Sequence, residues 1–218
     1  KDIRGPLQMT LASADSVLIN EKHDVSLLRF KQKPPVSYQP YYLGWNISTT
    51  PIGAFHGIHH PNGGIKKVAV ENDPLTVTSF GVNPPYNMNP NVHWAVNAWD
   101  VGATEGGSSG SPLLDRGKRI VGTLTGGESF CEGAKGPDVY AAFTKAWTST
   151  ETLQNPRTLK DYLDAKNTSA TQLGGYNPYL KQPYTRIRNF DTNETPTQSY
   201  VNSIPFFATN NTLGYTEF

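Results

Sequence analysis

Residues 105–114 have the sequence Glu-Gly-Gly-Ser-Ser-Gly-Ser-Pro-Leu-Leu, a loop of glycine and serine that ends at a proline. Such a loop is by default a flexible linker. Its flanks favour a different interpretation, because Pro112 excludes a regular helix and the two leucines begin a strand that returns over 119–125 as a hairpin. A serine held in a glycine loop on a hairpin suits acyl transfer, since glycines let the backbone turn sharply and direct N–H groups at a developing oxyanion.

The element after the loop separates this motif from the serine motif of α/β hydrolases. Those enzymes need Gly-x-Ser-x-Gly between a strand and a helix. Here Ser111 occupies the fifth position of the motif and a strand follows, which argues against that fold.

The composition indicates a loop-rich β protein and excludes several classes of partner. Lys and Arg number 19 against 18 Asp and Glu, so no charge bias favours nucleic acid or an acidic membrane surface. Charged residues make up 17%, whereas Gly (20) and Pro (17) are abundant. No apolar run is long enough for a membrane span, and the single Cys131 excludes an internal disulfide.

Short strands separated by turns predict an all-β fold. Two strands are predicted over 7–11 and 25–30, and a proline-rich link over 33–40 separates them from a second β region. The strands predicted in that region cover 41–45, 53–58, 65–70, 75–80, 93–99, 112–114, 119–125 and 139–143. This spacing is typical of a closed antiparallel barrel or a sandwich and not of βαβ units.

Two further segments follow the strands. Thr158 and Asp161 have the spacing of a capping box and predict a short helix. The tail over 176–218 is rich in aromatic residues, so we expect it to pack against something.

Taken in chain order, the motifs resemble the chymotrypsin-fold serine proteases, and among them the lysyl endopeptidase branch. The resemblance extends over about residues 10–176, which makes it far more specific than any single motif. The segments that carry it lie at 23–28, 44–45, 53–66, 107–112, 121–127, 131, 138–140, 143–147, 159–164 and 173–176.

The resemblance implies a chymotrypsin-like double β-barrel with only the last strands of the first barrel in this chain. Residues 1–32 would be the end of the N-terminal barrel, and 41–147 the C-terminal barrel with the nucleophile loop. Residues 148–176 would form a helical segment packed on that barrel, and 177–218 a C-terminal extension.

The resemblance also implies catalytic roles. Ser109 would be the nucleophile, and the N–H groups of Gly107 and Ser109 would form the oxyanion hole. Asp24 would orient the catalytic imidazole and stabilise its protonated form. Without the resemblance, Asp24 is a solvated residue at the start of a strand.

None of the five histidines lies in the Ala-Ala-His-Cys-like context that supplies the general base in this family, so we expect that histidine N-terminal to Lys1. His23 adjoins Asp24, but successive strand residues face opposite sides. The pair His59-His60 suggests a metal site, but it lacks the alternating spacing and the further ligands that one needs. In the family this pair belongs to a structural hairpin, and we predict no metal and no cofactor.

Substrate binding is assigned by the same resemblance. Asp138 lies where the lysyl endopeptidase branch places the acidic group that receives a basic P1 side chain, and Thr125 and Gly126 lie beside it in the binding site. The alternative for Asp138 is a surface residue in a turn after Pro137. The chain departs from the family pattern because Thr125 replaces a histidine and the tryptophan expected near Val82 is absent.

Two functions remain open at this point. The first is a secreted or cell-surface serine endopeptidase that cleaves after Lys or Arg and receives its histidine from an N-terminal segment or chain. The chain would then be a processed product, an expressed fragment or the ordered part of a longer protein. The second is a non-catalytic, protease-like subunit of a surface complex that binds partners through its β scaffold and aromatic tail.

Overall fold

The computed structural model describes residues 9–153 and 156–179. The chain divides into two compact units, 1–177 and 178–218, and every strand and helix below belongs to the first unit. The tail predicted to pack against something lies, beyond residue 179, outside the described residues. The domain boundaries predicted within the first unit stay predictions.

The described chain is an all-β structure, as predicted, with the predicted short helix and a second one that was not predicted. The strands are β1 Ala14–Asn20, β2 Val25–Phe30, β3 Gly44–Asn46, β4 Phe55–His59, β5 Lys67–Glu71, β6 Thr76–Thr78, β7 His93–Val96, β8 Pro112–Leu114, β9 Arg119–Gly127, β10 Asp138–Ala142 and β11 Gln172–Leu173. The helices are α1 Phe143–Ala146 and α2 Leu159–Leu163, and single 3₁₀ turns cover Val36–Tyr38 and Pro61–Gly63.

Strands β1 and β2 form a separate two-stranded antiparallel sheet in which Asn20 pairs with Val25. The strand predicted over 7–11 is wrong for its described residues 9–11, which are not in a sheet. The first strand lies further along the sequence, over Ala14–Asn20. It lies there because its Leu18 is buried, at 3% exposure, and can join the core.

The other strands form a nine-stranded sheet with the order β5-β4-β8-β9-β10-β7-β6, and β3 joins β9 and β11. The pairing of β3 with β9 is parallel, an exception to the predicted antiparallel arrangement. Among the described residues this order does not return on itself, so the closure of the predicted barrel is not detected in the hydrogen bonding. The predicted hairpin is present, with Pro112 of β8 opposite Thr123 of β9.

Two hydrophobic clusters form the core. One fills the large sheet around Phe55, Leu113 and Tyr140. The other joins Leu18 and Val25 of the small sheet to Trp45, Trp147 and further residues of α1 and α2. This second cluster fixes the β1–β2 hairpin against the helices and therefore determines where the turn between β1 and β2 lies.

The helix α2 begins as the sequence predicts. The Thr158 hydroxyl accepts a hydrogen bond from the N–H of Asp161, and the Asp161 carboxylate accepts one from the N–H of Thr158 at 2.7 Å. From α2, the Tyr162 hydroxyl donates to the carbonyl of Val17 in β1 at 3.1 Å, which holds the hairpin. None of the helices in the described part of the chain has the length and apolarity needed to cross a membrane.

Candidate active site

The glycine and serine loop is held by β9 on one side. Gly107 and Gly110 have φ angles of 91° and 78°, a left-handed conformation that glycine adopts without steric cost. The N–H of Gly110 donates to the carbonyl of Leu124 at 2.7 Å, and the N–H of Leu124 donates to the carbonyl of Ser111 at 2.9 Å. These bonds fix the exposed Ser109 against β9.

The backbone of the loop leaves the N–H groups of Gly106, Gly107 and Ser109 available. The N–H of Ser108 donates to the carbonyl of Glu105 at 3.0 Å, and the N–H of Gly110 donates to the carbonyl of Leu124. Within residues 9–153 and 156–179, the N–H groups of Gly107 and Ser109 have no protein acceptor. These are the two donors that the resemblance assigns to the oxyanion hole, and a free N–H on each is what that role requires.

Asp24 ends the turn between β1 and β2. The sequence places it at the start of a strand, but it precedes β2 and has a φ of 50°. Its side chain is exposed, whereas the neighbouring His23 is buried and places its Nδ1 3.2 Å from Oδ1 of Asn20. The two side chains are therefore separated by the turn, and not by the strand alternation that the sequence suggested.

Asp24 and Ser109 line the same cleft, whose volume is about 330 Å³. The β1–β2 hairpin forms one wall and β9 with the loop forms the other. Thr125 also lines this cleft, whereas Gly107, Gly126 and Asp138 do not, and neither does any of the five histidines. The full lining consists of Ile19, Asn20, Glu21, Asp24, Val25, Ser26, Ser109, Gly110, Thr123, Leu124 and Thr125.

Asp138 is the first residue of β10 and is completely buried. Its Oδ2 accepts hydrogen bonds from Trp99 Nε1 at 2.6 Å, Thr104 Oγ1 at 2.7 Å and Ser129 Oγ at 2.6 Å. Its Oδ1 accepts a single long bond of 3.3 Å from the N–H of Ser129. Asp138 is thus an interior carboxylate with one nearly unused oxygen, and not the surface residue of the alternative interpretation.

The glycines after Thr125 lie between this carboxylate and an aromatic ring that the sequence analysis missed. A Cβ on Gly127 would collide with Oδ1 of Asp138, and a Cβ on Gly126 would lie 3.3 Å from the ring of Phe80. Phe80 and Gly127 also line a second cavity of about 560 Å³. The expected tryptophan near Val82 pointed to the right segment, but nothing in the sequence marked Phe80 as the contacting ring.

His59, the last residue of β4, contacts the glycine and serine loop, whereas the ring of His60 does not. His59 Nδ1 lies 2.9 Å from Ser108 Oγ, and His60 Nδ1 lies 3.1 Å from the carbonyl of Gly64. Within the described residues, no group of three His, Cys, Asp or Glu side chains could hold a metal ion. The pair belongs to a hairpin, and its contact with Ser108 was not predicted.

Known proteins resemble the chain as follows. A family model described as lysyl endopeptidase, C-terminal domain, matches residues 1–141. Lysyl endopeptidase of Pseudomonas aeruginosa is 37% identical over 117 residues, which are 50% of this chain and 23% of that protein. The chain therefore spans less than a quarter of that relative's length.

Two structures of the Rv3671c protease of M. tuberculosis show weaker similarity. The inactive form has a TM-score of 0.40 at 19% identity over 59% of this chain and 60% of that chain. The active form has a TM-score of 0.41 at 19% identity over 61% and 55%.

Proposed function

The chain belongs to the lysyl endopeptidase C-terminal domain family, and from this membership we propose that it is the larger part of a serine endopeptidase. Ser109 attacks the peptide carbonyl and forms an acyl-enzyme that water then hydrolyses. The enzyme is secreted or displayed at the cell surface, and its substrates are proteins or peptides.

The observation that carries this proposal is the cleft shared by Asp24 and Ser109. In a catalytic triad an imidazole lies between the carboxylate and the hydroxyl. It removes the proton from Ser109 Oγ, while its other N–H donates to Asp24. The N–H groups of Gly107 and Ser109 receive the negative charge on the carbonyl oxygen.

The missing histidine comes from a segment that docks on the β1–β2 sheet. Within the described residues each of these strands has only the other as a strand partner. Carbonyls of β1 also accept hydrogen bonds from the Tyr162 hydroxyl and the Leu153 N–H, so the edge left without a partner is that of β2. Leu28 and Phe30 are both 58% exposed. Unpaired edges beside exposed apolar side chains favour pairing with a further strand. We assign this place to an N-terminal segment or chain that contacts residues 7–30 and carries the histidine.

The substrate has Lys or Arg at P1. The support for this is Asp138, whose Oδ1 has spare capacity to accept a charge-assisted hydrogen bond from a cationic side chain. Gly127 supports it as well, because it packs against Oδ1 and also lines the second cavity. Thr125 and Gly126 would lie along the bound peptide.

The test is labelling of the complete natural protein by a fluorophosphonate, which reacts with activated serines. We expect stoichiometric labelling at Ser109, no labelling of the Ser109→Ala variant and retained labelling of Ser111→Ala, the matched control from the same loop. Absence of labelling in a folded, complete protein would contradict the protease and leave the non-catalytic binding subunit.

A further inference from the structure

We propose that His59 and Ser108 form a buried pair that positions the nucleophile loop, so that His59 is a positioning residue for catalysis by Ser109. This inference rests on the proposed function and adds to it a residue that contacts neither substrate nor nucleophile.

The pair is placed beside the oxyanion donors. Ser108 lies between Gly107 and Ser109, so its side chain anchors the 108–109 peptide unit, which carries the N–H of Ser109. The distance from His59 Nδ1 to Ser108 Oγ is 2.9 Å. His59 is 2% exposed and Ser108 is 1% exposed, so water does not compete for this hydrogen bond.

The residues after His59 hold the same loop at two further points. The N–H of Asn62 donates to the carbonyl of Gly106 at 2.8 Å, and Nδ2 of Asn62 donates to the Glu105 carboxylate at 2.6 Å. A Cβ on Gly107 would lie 3.4 Å from the carbonyl of His60, so the two backbones are in close contact. The end of β4 and the residues after it therefore pack along the loop. Of these contacts, the hydrogen bond of His59 is the buried one.

The pair functions with a neutral imidazole. Nε2 of His59 is buried and has no hydrogen-bond partner among the described residues. The Ser108 hydroxyl can donate to Nδ1 while its oxygen accepts a long bond of 3.4 Å from the N–H of Glu105. In this tautomer Nε2 carries a neutral N–H. Protonation would place a second proton on Nδ1, so the hydroxyl would have to reverse and a positive charge would be buried in place of the neutral ring.

The groups around His59 agree with a neutral ring. Burial lowers the pKa of His59 from 6.5, and this is the largest effect. The nearby carboxylates of Asp138 and Glu105 raise the pKa, and His60 lowers it. Because the folded pKa lies below the unfolded one, the pair is intact above pH 6.5 and is lost as the pH falls through the lowered value.

The experiment compares variants of the complete natural protein. His59→Leu and Ser108→Ala remove the hydrogen bond, and His59→Asn keeps an amide near the position of Nδ1 without a titratable group. His60→Gln is the control, since His60 is exposed. For each folded variant we measure kcat, KM and the acid limb of the pH profile of kcat. Amide hydrogen exchange over 105–111 is measured as well.

We expect His59→Leu and Ser108→Ala to lower kcat about 10- to 100-fold with KM within about twofold, and to speed exchange in the loop. His59→Asn should restore most of kcat and shift the acid limb of its pH profile, and His60→Gln should leave kcat, KM and loop exchange unchanged at neutral pH. Unchanged kcat and exchange in folded Ser108→Ala would overturn the inference, even if His59→Leu fails to fold. If Ser109→Ala keeps full activity, the proposed function fails instead, and hydrogen exchange still decides whether the pair holds the loop.

Discussion

The nucleophile loop and the β1–β2 hairpin form opposite walls of one cleft but are held in different ways. The loop is bonded to β9 on one side and to the end of β4 on the other. The hairpin is held by Leu18 and Val25 in the second core cluster and by single hydrogen bonds such as that from Tyr162, while much of β2 stays exposed. In the proposed enzyme, one half of the site is thus complete within this chain, and a further segment covers the other half.

Replacement of the nucleophile should have the largest effect. Ser109→Ala is expected to lower turnover of the complete enzyme by about 10⁶-fold, since the remaining groups cannot form an acyl-enzyme. Steady-state hydrolysis of a Lys-ester substrate measures this loss. If Ser108→Ala abolishes turnover and Ser109→Ala does not, the nucleophile has been assigned to the wrong serine.

The hairpin side of the cleft is tested by Asp24→Asn. The amide cannot stabilise a protonated imidazole, so we expect kcat to fall about 10⁴-fold with a small change in KM. Asp15→Asn, on the same hairpin and exposed, is the control and should keep full activity. A loss of less than tenfold in Asp24→Asn would show that Asp24 is only a turn residue.

Selectivity for a basic P1 residue is tested by Asp138→Asn. Loss of the charge should reduce kcat/KM for Lys and Arg substrates about 10²- to 10³-fold, while an apolar P1 substrate changes little. Cleavage-site profiling of both proteins measures the ratio. Apolar P1 residues in the parent enzyme, unchanged by the substitution, would remove Asp138 from substrate recognition.

The smallest effect concerns His93, a residue of β7 whose two ring nitrogens are buried and have no partner among the described residues. Burial lowers the pKa of His93 from 6.5, while Asp24 raises it and His23 lowers it. The unfolded chain therefore binds the proton first, and stability is lost as the pH falls below 6.5.

We expect His93→Phe to lessen this loss of stability at acid pH, because a phenylalanine ring can take the same place against Phe80 without a titratable group. Urea unfolding at pH 7.5 and 5.0 should give a smaller difference in unfolding free energy for the variant than for the parent. His60→Gln, an exposed change, should leave the difference unaltered. An equal difference in His93→Phe would mean that other groups cause the acid loss.

Local features of the sequence predicted the loop side of the site better than the hairpin side. Glycines at positive φ, a proline and an alternating strand act within a few residues, so the hairpin of β8 and β9 could be predicted with its bounds nearly correct. The capping box of α2 is local in the same way. The strand predicted over 7–11 was wrong at its described residues 9–11, because the position of β1 depends on the burial of Leu18 among distant helices.

Contacts between distant residues could not be predicted. His59 and Ser108 are separated by 49 positions, and the parallel pairing of β3 with β9 depends on the whole sheet. The bonds from Trp99, Thr104 and Ser129 to Asp138 are of the same kind, since no spacing in the sequence brings these four together. The sequence could nominate Asp138 through the resemblance but could not show that its carboxylate is buried.

Intact mass and N-terminal sequencing of native material, combined with hydrogen exchange of β1 and β2, test the two-part site most directly. We predict that a segment preceding Lys1, joined to this chain or bound to it, carries a histidine and protects the amides of the hairpin, whose exchange is fast in the 218-residue chain alone. Native material that consists only of this chain, folded and monomeric with β2 freely exchanging, would contradict the account.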